Sequence, residues 1–538
     1  MSITLFDYLL RRALLVFGTF ILVMVVFVAK FEHLTDVNAA DYAQIARNLA
    51  EGKGFTTSAL TPLRLAIKPG VENAPELGRG PVYIACLAGA MKLFGATDKT
   101  VILGSIFFYL LTLVVVYLVG RFFFSDPVGI FGVVICLISV PLLEQMVSGL
   151  EITLLAFLIT SLCGLLLWWG RSEKQTAWHW PVVIGLLLGL LYLTRYETLA
   201  LLPAVIVYLV LLAPRPSRWK LAGLSVLVFV IVVAPWIIRS SLIVGKPFIS
   251  LMSYEMIMGT DFSPRQVLYR EFSTVPPSPL LEAMRNGPDM LKKFIQGMNT
   301  FYAALPNVVN LYVMPFFLAG LMLAWARKRY VVFHWCLALA IVLTALVLCL
   351  YVPVTNLILA FGPIVAIIAV SWFVELIDQY LQRDAERTPS PSVMDRKRFF
   401  ILLGWMLVLA YPFLNYLFVM PAARQHPAVP ILKALAEEKQ YKVVATDIPW
   451  WATWYANQTT IFLPNSIAEL GQMQKAGIKL DLVYLSPQLL RFPREERMED
   501  WQRALVTRQK AILNLKRVEK TRFPGSLYIP PGVPAPSI

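Results

Sequence analysis

Long apolar stretches recur along most of this chain and are separated by short polar segments. A helix that spans a bilayer needs about 20 apolar residues, and fewer where the bilayer is locally thin. Apolar stretches of 14 to 24 residues lie near 13–30, 101–120, 127–143, 151–169, 180–193, 198–213, 221–240, 305–326, 330–351, 354–377 and 399–420. The pattern predicts a polytopic α-helical membrane protein with about 11 transmembrane helices.

Basic residues are distributed unevenly around these stretches. With the N-terminus inside, the predicted cytoplasmic loops contain sixteen Lys and Arg, whereas the short outer loops contain only Arg195. Cytoplasmic loops of membrane proteins carry such an excess. The apolar segment 81–95 has only 15 residues and contains Lys92, and counting it as a span would invert every later loop. We therefore expect this segment to be interfacial or re-entrant.

This topology divides the chain into two predicted parts. Residues 1–420 form a transmembrane domain with large outer loops at 31–100 and 241–304, and residues 421–538 form a small extracytoplasmic α/β domain. In the C-terminal part, apolar periodicity predicts helices near 428–439 and 465–476, and strands at 441–445, 460–462 and 480–485. The loop 241–304 contains Pro276-Pro277 and is expected to lie over the mouth of the bundle.

An amphipathic helix is predicted directly after the first apolar stretch. One stripe of this helix consists of Tyr42, Ile45, Ala46 and Leu49. The opposite face consists of Asp41, Gln44, Asn48 and Glu51. Helices of this kind lie flat in the membrane interface, with the polar face toward water. The pattern therefore predicts extracytoplasmic amphipathic structure that holds a carboxylate at the mouth of the bundle.

The composition is typical of a membrane protein, and it also indicates which classes of partner to expect. The chain is 58% hydrophobic and 15% charged, whereas soluble domains carry about 25% charged residues. Its net charge of +15 fits loops that face anionic lipid, so membrane lipid is an expected partner and nucleic acid is not. The four histidines and five cysteines show no ligand spacing, so we predict no zinc site. The cytoplasmic (inner) membrane is the expected location.

Ionisable residues at the outer ends of membrane helices are candidates for function. The predicted outer side collects Asp36, Asp41, Glu144, Glu151, Arg195 and Glu197. Each also has a structural explanation. Asp36 and Asp41 are suited to capping the amphipathic helix, Glu151 to the start of its helix, and Arg195 with Glu197 to a local ion pair.

As a group, these residues suit one kind of reaction, the transfer of a sugar from a lipid phosphate. A hydroxyl acceptor needs a general base, which a carboxylate supplies. The leaving phosphate is stable as an anion and needs no general acid, unlike the leaving group of a glycosidase. Arginine is suited to hold that phosphate. The carboxylates and Arg195 therefore predict a transfer site at the membrane surface.

Several motifs occur in an order that resembles a known superfamily. Asn38-Ala-Ala-Asp41-Tyr42-Ala-Gln-Ile-Ala resembles a pattern Asp-Glu-x-x-Tyr-Ala-x-x-Ala that follows the first helix of its members. The motifs that follow are Gly52-Lys-Gly54-Phe55, Arg79-Gly-Pro81-Val-Tyr83, Ser148-Gly-Leu150-Glu151, Leu193-Thr-Arg195-Tyr196-Glu197 and Ala234-Pro235-Trp236. Together they resemble the C-type membrane glycosyltransferases, in particular bacterial relatives of protein O-mannosyltransferases and of lipid A aminoarabinose transferases.

The resemblance implies an inverting glycosyltransferase that moves a single sugar from a polyprenyl-phosphate carrier to an acceptor at the outer face of the cytoplasmic membrane. The family's first acidic residue falls at Asn38, which cannot accept a proton. We therefore expect the general base to be Asp41, with Asp36 close behind and Glu151 next. The residues expected to bind substrate are Asn38, Tyr42, Arg79, Tyr83, Arg195 and Glu197.

Several alternatives stay open at this point. The acceptor is a glycolipid, a polysaccharide or a protein, and a divalent metal at the outer-face carboxylates is neither required nor excluded. Asn38 also fits a non-catalytic protein that binds lipid-linked sugar, and a lipid or sugar transporter is a further alternative. In the C-terminal part, Asp447 with Trp450, Trp451, Trp454 and Tyr455 either stacks on sugars or packs the domain onto the membrane part. We favour packing, because interfacial Trp and Tyr are common in membrane proteins.

Overall fold

The computed structural model describes most of the chain. The described residues are 3–245, 251–275, 278–322, 328–351, 356–385, 391–422, 424, 426–437, 441–519 and 525–533. Parts of the predicted spans 305–326 and 354–377, the pair Pro276-Pro277 and some of the sixteen basic residues lie outside these ranges.

Helices are the main elements in the first four fifths of the described chain. Those before the second outer loop are α1 (Ile3–Lys30), α2 (Val37–Ala50), α3 (Pro62–Ile67), α4 (Pro81–Phe94), α5 (Asp98–Phe123), α6 (Asp126–Ile138), α7 (Val140–Ser148), α8 (Ile152–Arg171), α9 (His179–Thr194), α10 (Leu201–Leu212) and α11 (Arg218–Val244). The next are α12 (Pro279–Arg285), α13 (Gly287–Ala304), α14 (Met314–Met322), α15 (Lys328–Leu350), α16 (Asn356–Leu359), α17 (Gly362–Ala385) and α18 (Pro391–Phe418).

Seven described helices are long and apolar enough to cross a membrane: α1, α5, α8, α11, α15, α17 and α18. The pair α6–α7, bent by 64°, brings the number to eight if it forms one broken span. The predicted stretches 180–193 and 198–213 are the shorter helices α9 and α10, and the described part of 305–326 contains only the nine-residue α14 as an α-helix. A multi-pass membrane protein is therefore supported, and the count of eleven stays a prediction.

Burial identifies the centre of the helical part. In α8, 78% of the most apolar window is buried, against 17% in α1. Because α8 is surrounded by protein, the residue that precedes it, Glu151, is also enclosed, with only 2% of its surface exposed. The position of this carboxylate is therefore set by the core of the bundle.

The helix α2 forms where the apolar stripe predicted it, but its polar face does not meet water. Every residue from Ala39 to Asn48 is buried, because the helix lies between α4 and the C-terminal part of the chain. Gln44 on the polar face donates to Thr57 at 2.8 Å and to Asp41 at 3.1 Å. The expectation that this polar face meets water is therefore wrong. Its polar groups are buried and bind protein partners instead, as buried polar groups generally do.

The C-terminal part contains helices and strands near the predicted places. Its helices are α19 (Val429–Glu437), α20 (Pro449–Ala456), α21 (Ile467–Lys475) and α22 (Glu499–Val506). The strands among the described residues are β1 (Thr56–Thr57), β2 (Ala59–Leu60), β3 (Ala74–Pro75), β4 (Val443–Thr446), β5 (Thr459–Phe462), β6 (Leu482–Leu485), β7 (Ala511–Ile512), β8 (Leu515–Arg517) and β9 (Ser526–Ile529). Seven of them form one sheet in the order β2-β5-β4-β6-β9-β8-β7.

One edge of this sheet comes from a distant part of the chain. The strand β2, in the first outer loop, pairs in parallel with β5, and β4 pairs in parallel with both β5 and β6. The first outer loop is therefore part of the sheet, which sequence periodicity did not predict because β2 has only two residues. As a result, α2 and the sheet are held as one structural unit.

Two further contacts attach the sheet to the helices. Asp98, in the first turn of α5, accepts hydrogen bonds of 2.7 Å from Trp454 Nε1 and from Tyr455 Oη. Arg270, from the second outer loop, forms a fully buried ion pair of 3.0 Å with Glu496. The expected packing role is thus observed for Trp454 and Tyr455, and the described part of the second outer loop is tied to the sheet.

Candidate active site

A cavity of about 860 Å³ lies between one end of the helical part and the seven-stranded sheet. Its walls come from the start of α2, from residues 76–80, from the α7–α8 turn, from the end of α9, from the segment 251–269 and from the C-terminal part of the chain. The cavity therefore collects residues from each of the three large predicted outer segments, 31–100, 241–304 and 421–538.

The sheet faces this cavity with one particular edge. The strands β2, β5, β4 and β6 run in parallel, so their carboxyl ends lie at the same edge of the sheet. Residues at or just after those ends line the cavity, including Thr61, Phe462, Asp447 and Gln488. Ligands of open α/β sheets bind outside the carboxyl ends of the strands. The cavity lies outside the carboxyl ends of these strands, which is where such ligands bind.

Three of the predicted residues meet at the membrane side of the cavity. Arg79 donates from Nε to Asp41 at 2.9 Å and from Nη2 to Asn38 at 2.7 Å. Asn38 and Asp41 are three positions apart on α2 and therefore share a face. The guanidinium of Arg79 also lies over the ring of Tyr42, 4.9 Å from its centre. Arg79 therefore contacts all three named residues of the Asn38-x-x-Asp41-Tyr42 motif.

A second cluster lies on the same cavity around Arg195. Its Nη1 donates to Glu151 at 2.7 Å and its Nε donates to Glu197 at 3.1 Å. Burial opposes the charge of Arg195, but Glu197 and Glu151 outweigh burial and hold its pKa above the usual value. Arg195 is therefore a permanent cation between two carboxylates that are almost fully buried.

Tyr42 connects the two clusters. Burial raises the pKa of Tyr42 well above its usual value, and the charge of Glu151 raises it further. Tyr42 therefore keeps its proton and can act as a neutral hydrogen-bond donor at the cavity wall.

A glycine allows the two arginine-bearing segments to approach each other. A Cβ atom at Gly80 would lie 2.7 Å from the carbonyl oxygen of Thr194, and closer still to that of Leu193. Real Cβ atoms do not approach backbone so closely, so only glycine fits between Arg79 and the end of α9. The glycine of the Arg79-Gly80-Pro81 motif thus brings Arg79 and Arg195 to one cavity.

Three predicted residues do not lie on the cavity wall. Asp36 is the N-cap of α2 and accepts from the backbone N–H of Asn38 at 2.7 Å. Tyr83 is fully buried and donates to the carbonyl of Gly149 at 2.8 Å. Glu197 is 4% exposed and accepts a hydrogen bond from Nε of Arg195. Direct substrate contact by these three side chains is therefore not supported, because none of them lines the cavity.

The structure also adds residues that sequence reasoning missed. Glu76 accepts from the backbone N–H groups of Gly78 at 2.6 Å and of Arg79 at 3.0 Å, which fixes the Arg79 segment. Glu255 and Tyr269 line the cavity from the second outer loop and form a hydrogen bond with each other. No periodicity or motif marks these residues, since only the folding of the loop brings them to the site.

The carboxylates of the site do not form a metal cluster. Within the described part of the chain, no three His, Cys, Asp or Glu side chains are grouped as ligands for a metal ion. Asp41 and Glu151 instead pair with Arg79 and Arg195. The residues present therefore do not provide an evident cation site, and a divalent metal at these carboxylates stays an untested expectation.

Comparison with known proteins agrees with the fold and the motifs. Residues 78–238, which include Arg79, Glu151 and Arg195, match the model of the family described as dolichyl-phosphate-mannose-protein mannosyltransferase. No curated protein matches the chain in a sequence search.

Solved structures of two other proteins have a similar fold. ArnT from Cupriavidus metallidurans bound to undecaprenyl phosphate is 13% identical, with a TM-score of 0.58 over 96% of this chain and 97% of ArnT. The oligosaccharyltransferase AglB from Archaeoglobus fulgidus, in complex with an inhibitory peptide and a dolichol-phosphate, is 12% identical, with a TM-score of 0.57 over 89% of this chain and 70% of AglB. The resemblance to C-type glycosyltransferases is thus confirmed, and the chain has a fold similar to those of ArnT and AglB.

Proposed function

We propose that the protein transfers a single sugar, with inversion, from a polyprenyl-phosphate carrier to an acceptor at the outer face of the cytoplasmic membrane. One observation carries this proposal. Asp41, Arg79 and Arg195 line the same cavity, so a proton acceptor and two cations lie around one space. The solved relatives that contain undecaprenyl phosphate and dolichol-phosphate support a donor of this class.

In the proposed reaction, Asp41 accepts the proton of the acceptor hydroxyl. The hydroxyl oxygen forms a bond to the anomeric carbon of the sugar as the bond between that carbon and the phosphate oxygen breaks. The electron pair of the broken bond stays on the phosphate, whose charge Arg79 and Arg195 stabilise. Asp41 already accepts hydrogen bonds from Arg79 and Gln44, but a carboxylate has about four acceptor sites. These contacts therefore orient the base without saturating it.

The location of the reaction follows from the solvents that its substrates need. A polyprenyl chain is too apolar to leave the bilayer, whereas its phosphate and sugar are too polar to enter the bilayer core. The cavity lies at the boundary between the helices and the sheet. We expect the donor tail to lie among membrane helices, and the glycolipid, polysaccharide or protein acceptor to enter from the aqueous side.

The proposed orientation places the N-terminus in the cytoplasm and the sheet outside. The sixteen-to-one asymmetry of basic residues supports this orientation. The test is a fusion after Met420 to a reporter enzyme that is active only when it is exported from the cytoplasm. We expect this fusion to be active. A cytoplasmic signal from that fusion would contradict the proposed orientation and the span count on which it rests.

Asn38 favours one second candidate, a protein that binds lipid-linked sugar without transferring it. An amide cannot replace the acid of the family pattern as a base, yet it keeps a hydrogen bond of 2.7 Å to Arg79. The binding surface would then be intact while the chemistry is lost. Asp41, one helical turn away on the same cavity, is the reason that we favour transfer.

The test uses the full-length protein in proteoliposomes. Polyprenyl-phosphate donors with radiolabelled sugars are mixed with cell-envelope acceptors from a strain that lacks the protein. We expect a new covalent product with wild type and none with Asp41→Asn. Donor binding without a product would favour the binding protein, and label that crosses the bilayer unchanged would favour a transporter. Addition of a chelator to the same assay tests whether a divalent cation is needed.

A further inference from the structure

The second outer loop contributes a polar pair to the cavity that the reaction above does not use. Tyr269 donates a hydrogen bond to Glu255, and both side chains line the cavity. Glu255 is only partly buried and lines the cavity in which substrate would lie. Because Tyr269 uses one of about four acceptor positions of this carboxylate, further acceptor positions are available to a ligand.

The backbone around Glu255 is held firmly. Lys293, on α13, donates to the carbonyl of Glu255 at 3.0 Å and to that of Met256 at 2.8 Å. These bonds join α13 to the turn that carries Glu255, so Lys293 helps to fix the position of the turn. A carboxylate on a turn fixed in this way is preorganised to bind a ligand.

The charges that face Glu255 show which part of a substrate would reach it. Burial raises the pKa of Glu255 above its usual value, and Glu197 raises it further, while Tyr269, Arg79 and Arg195 lower it. Glu255 also lines the same cavity as Arg79 and Arg195, the two arginines that we assign to the phosphate. A carboxylate repels a phosphate but accepts hydrogen bonds from hydroxyl groups. The sugar is bonded directly to that phosphate, so its hydroxyls are the donors within reach.

We infer that Glu255 and Tyr269 form the subsite for the transferred sugar, in which the Glu255 carboxylate accepts hydrogen bonds from hydroxyl groups of a pyranose. This inference rests on the proposed function and adds a residue pair that selects the donor. A site built around hydrogen bonds to hydroxyls discriminates strongly against analogues that lack them. Glu255 thus determines which sugar is accepted, and Tyr269 positions the carboxylate.

The test compares donors that share a lipid and differ in the sugar. Full-length protein in nanodiscs is titrated with undecaprenyl phosphate alone and with a panel of undecaprenyl-phosphate hexoses and their deoxy analogues. We expect wild type to bind at least one hexosyl donor more tightly than the sugar-free carrier. Glu255→Ala should reduce that preference about ten- to a hundredfold, the range for hydrogen bonds to a charged group. Affinity for the sugar-free carrier should not fall, because Glu255→Ala removes a negative charge from near the phosphate.

Three further variants make the result specific. Glu255→Gln is nearly isosteric and keeps one carbonyl acceptor, so it should lose less preference than Glu255→Ala. Tyr269→Phe should give a partial loss, because the carboxylate stays but is less well oriented. Glu72→Ala removes an exposed acid from the first outer loop that does not line the cavity, and it should behave like wild type. Melting temperatures confirm that each variant is folded.

The outcomes separate this inference from the proposed function. If wild type binds no form of the carrier, the proposed donor class is wrong and the sugar subsite is wrong with it. If wild type binds the carrier but prefers no sugar, or if Glu255→Ala keeps the wild-type preference, only the subsite is overturned. Equal weakening of sugar-free and hexosyl donors would also overturn it, because Glu255 would then act on the phosphate site.

Discussion

Arg195 donates a hydrogen bond of 2.7 Å to Glu151, which lies 44 positions earlier in the sequence. The contact joins the turn before α8 to the turn after α9, and a third side chain, Glu197, shares the same guanidinium. Both carboxylates are almost fully buried, with 2% and 4% exposure. The arginine is therefore needed to neutralise two buried acids as well as to face the cavity.

Removal of this arginine should destabilise the fold. Arg195→Ala leaves Glu151 and Glu197 buried without a countercharge, and breaking a buried pair in this way costs about 3–5 kcal/mol. We expect a lower melting temperature in detergent. Adding Glu151→Gln and Glu197→Gln to Arg195→Ala should recover most of the stability without recovering donor binding. A melting temperature of Arg195→Ala equal to wild type would contradict this account of the cluster.

The variant Arg195→Lys tests separately whether Arg195 binds the phosphate of the carrier. Arg195→Lys keeps one positive charge near both acids but cannot make the two-pronged contact of a guanidinium. We expect a smaller loss of stability than for Arg195→Ala, together with weaker binding of the sugar-free carrier. Unchanged carrier affinity in this variant would leave Arg195 as a purely structural partner of the two carboxylates.

Asp41 and Asp36 make a matched pair for testing the general base. Asp41→Asn removes the proton acceptor and should lower the transfer rate about 10²- to 10⁴-fold. Asp36→Asn should leave transfer close to normal, because Asn caps a helix about as well as Asp and Asp36 does not line the cavity. Initial rates of both variants decide the question. Loss of activity in Asp36→Asn alone would reverse the assignment.

The attachment of the sheet to α5 can be weakened at one residue. Asp98→Ala removes the acceptor of both Trp454 and Tyr455, at a cost of about 2 kcal/mol or more for hydrogen bonds to a charged group. We expect faster cleavage of the C-terminal part by limited proteolysis. Asp261→Ala, which breaks an exposed ion pair with Lys292, serves as the control and should not change the cleavage pattern.

Asp447 should make stability depend on pH. Burial raises its pKa from 3.8 to about 6, against hydrogen bonds from Ser486. Since the folded pKa exceeds the unfolded one, the folded state binds the extra proton. The stabilising contribution of Asp447 is complete below about pH 4 and is lost as the pH rises through about 6.

Asp447→Asn tests this linkage directly. At pH 8, the variant should be more stable than wild type by about 2–3 kcal/mol, and the difference should shrink as the pH falls toward 4. Thermal unfolding at several pH values measures it. Asp500→Asn, at an exposed position on α22, should follow wild type at every pH. A constant difference for Asp447→Asn across this range would show that burial of the charge is not the cause.

Sequence determined the local elements of this protein. The lengths of the apolar stretches predicted the seven described helices that are long and apolar enough to cross a membrane, because a bilayer imposes a minimum length on each span, but they did not show that four other stretches form shorter or bent helices. The apolar stripe of Tyr42, Ile45 and Leu49 predicted α2, and alternating apolar runs predicted β4, β5 and β6 close to their observed positions. These features depend on residues that are neighbours in the chain, so they can be recognised without the fold.

Only the tertiary structure decided which polar side chains meet. Arg79 pairs with Asp41 from 38 positions away, β2 completes a sheet whose other strands lie beyond residue 440, and Glu255 reaches the cavity from a loop without a motif. The polar face of α2 is buried for the same reason, since α20 and β1 pack against this helix. Such contacts arise from packing between distant segments, and no local periodicity encodes them.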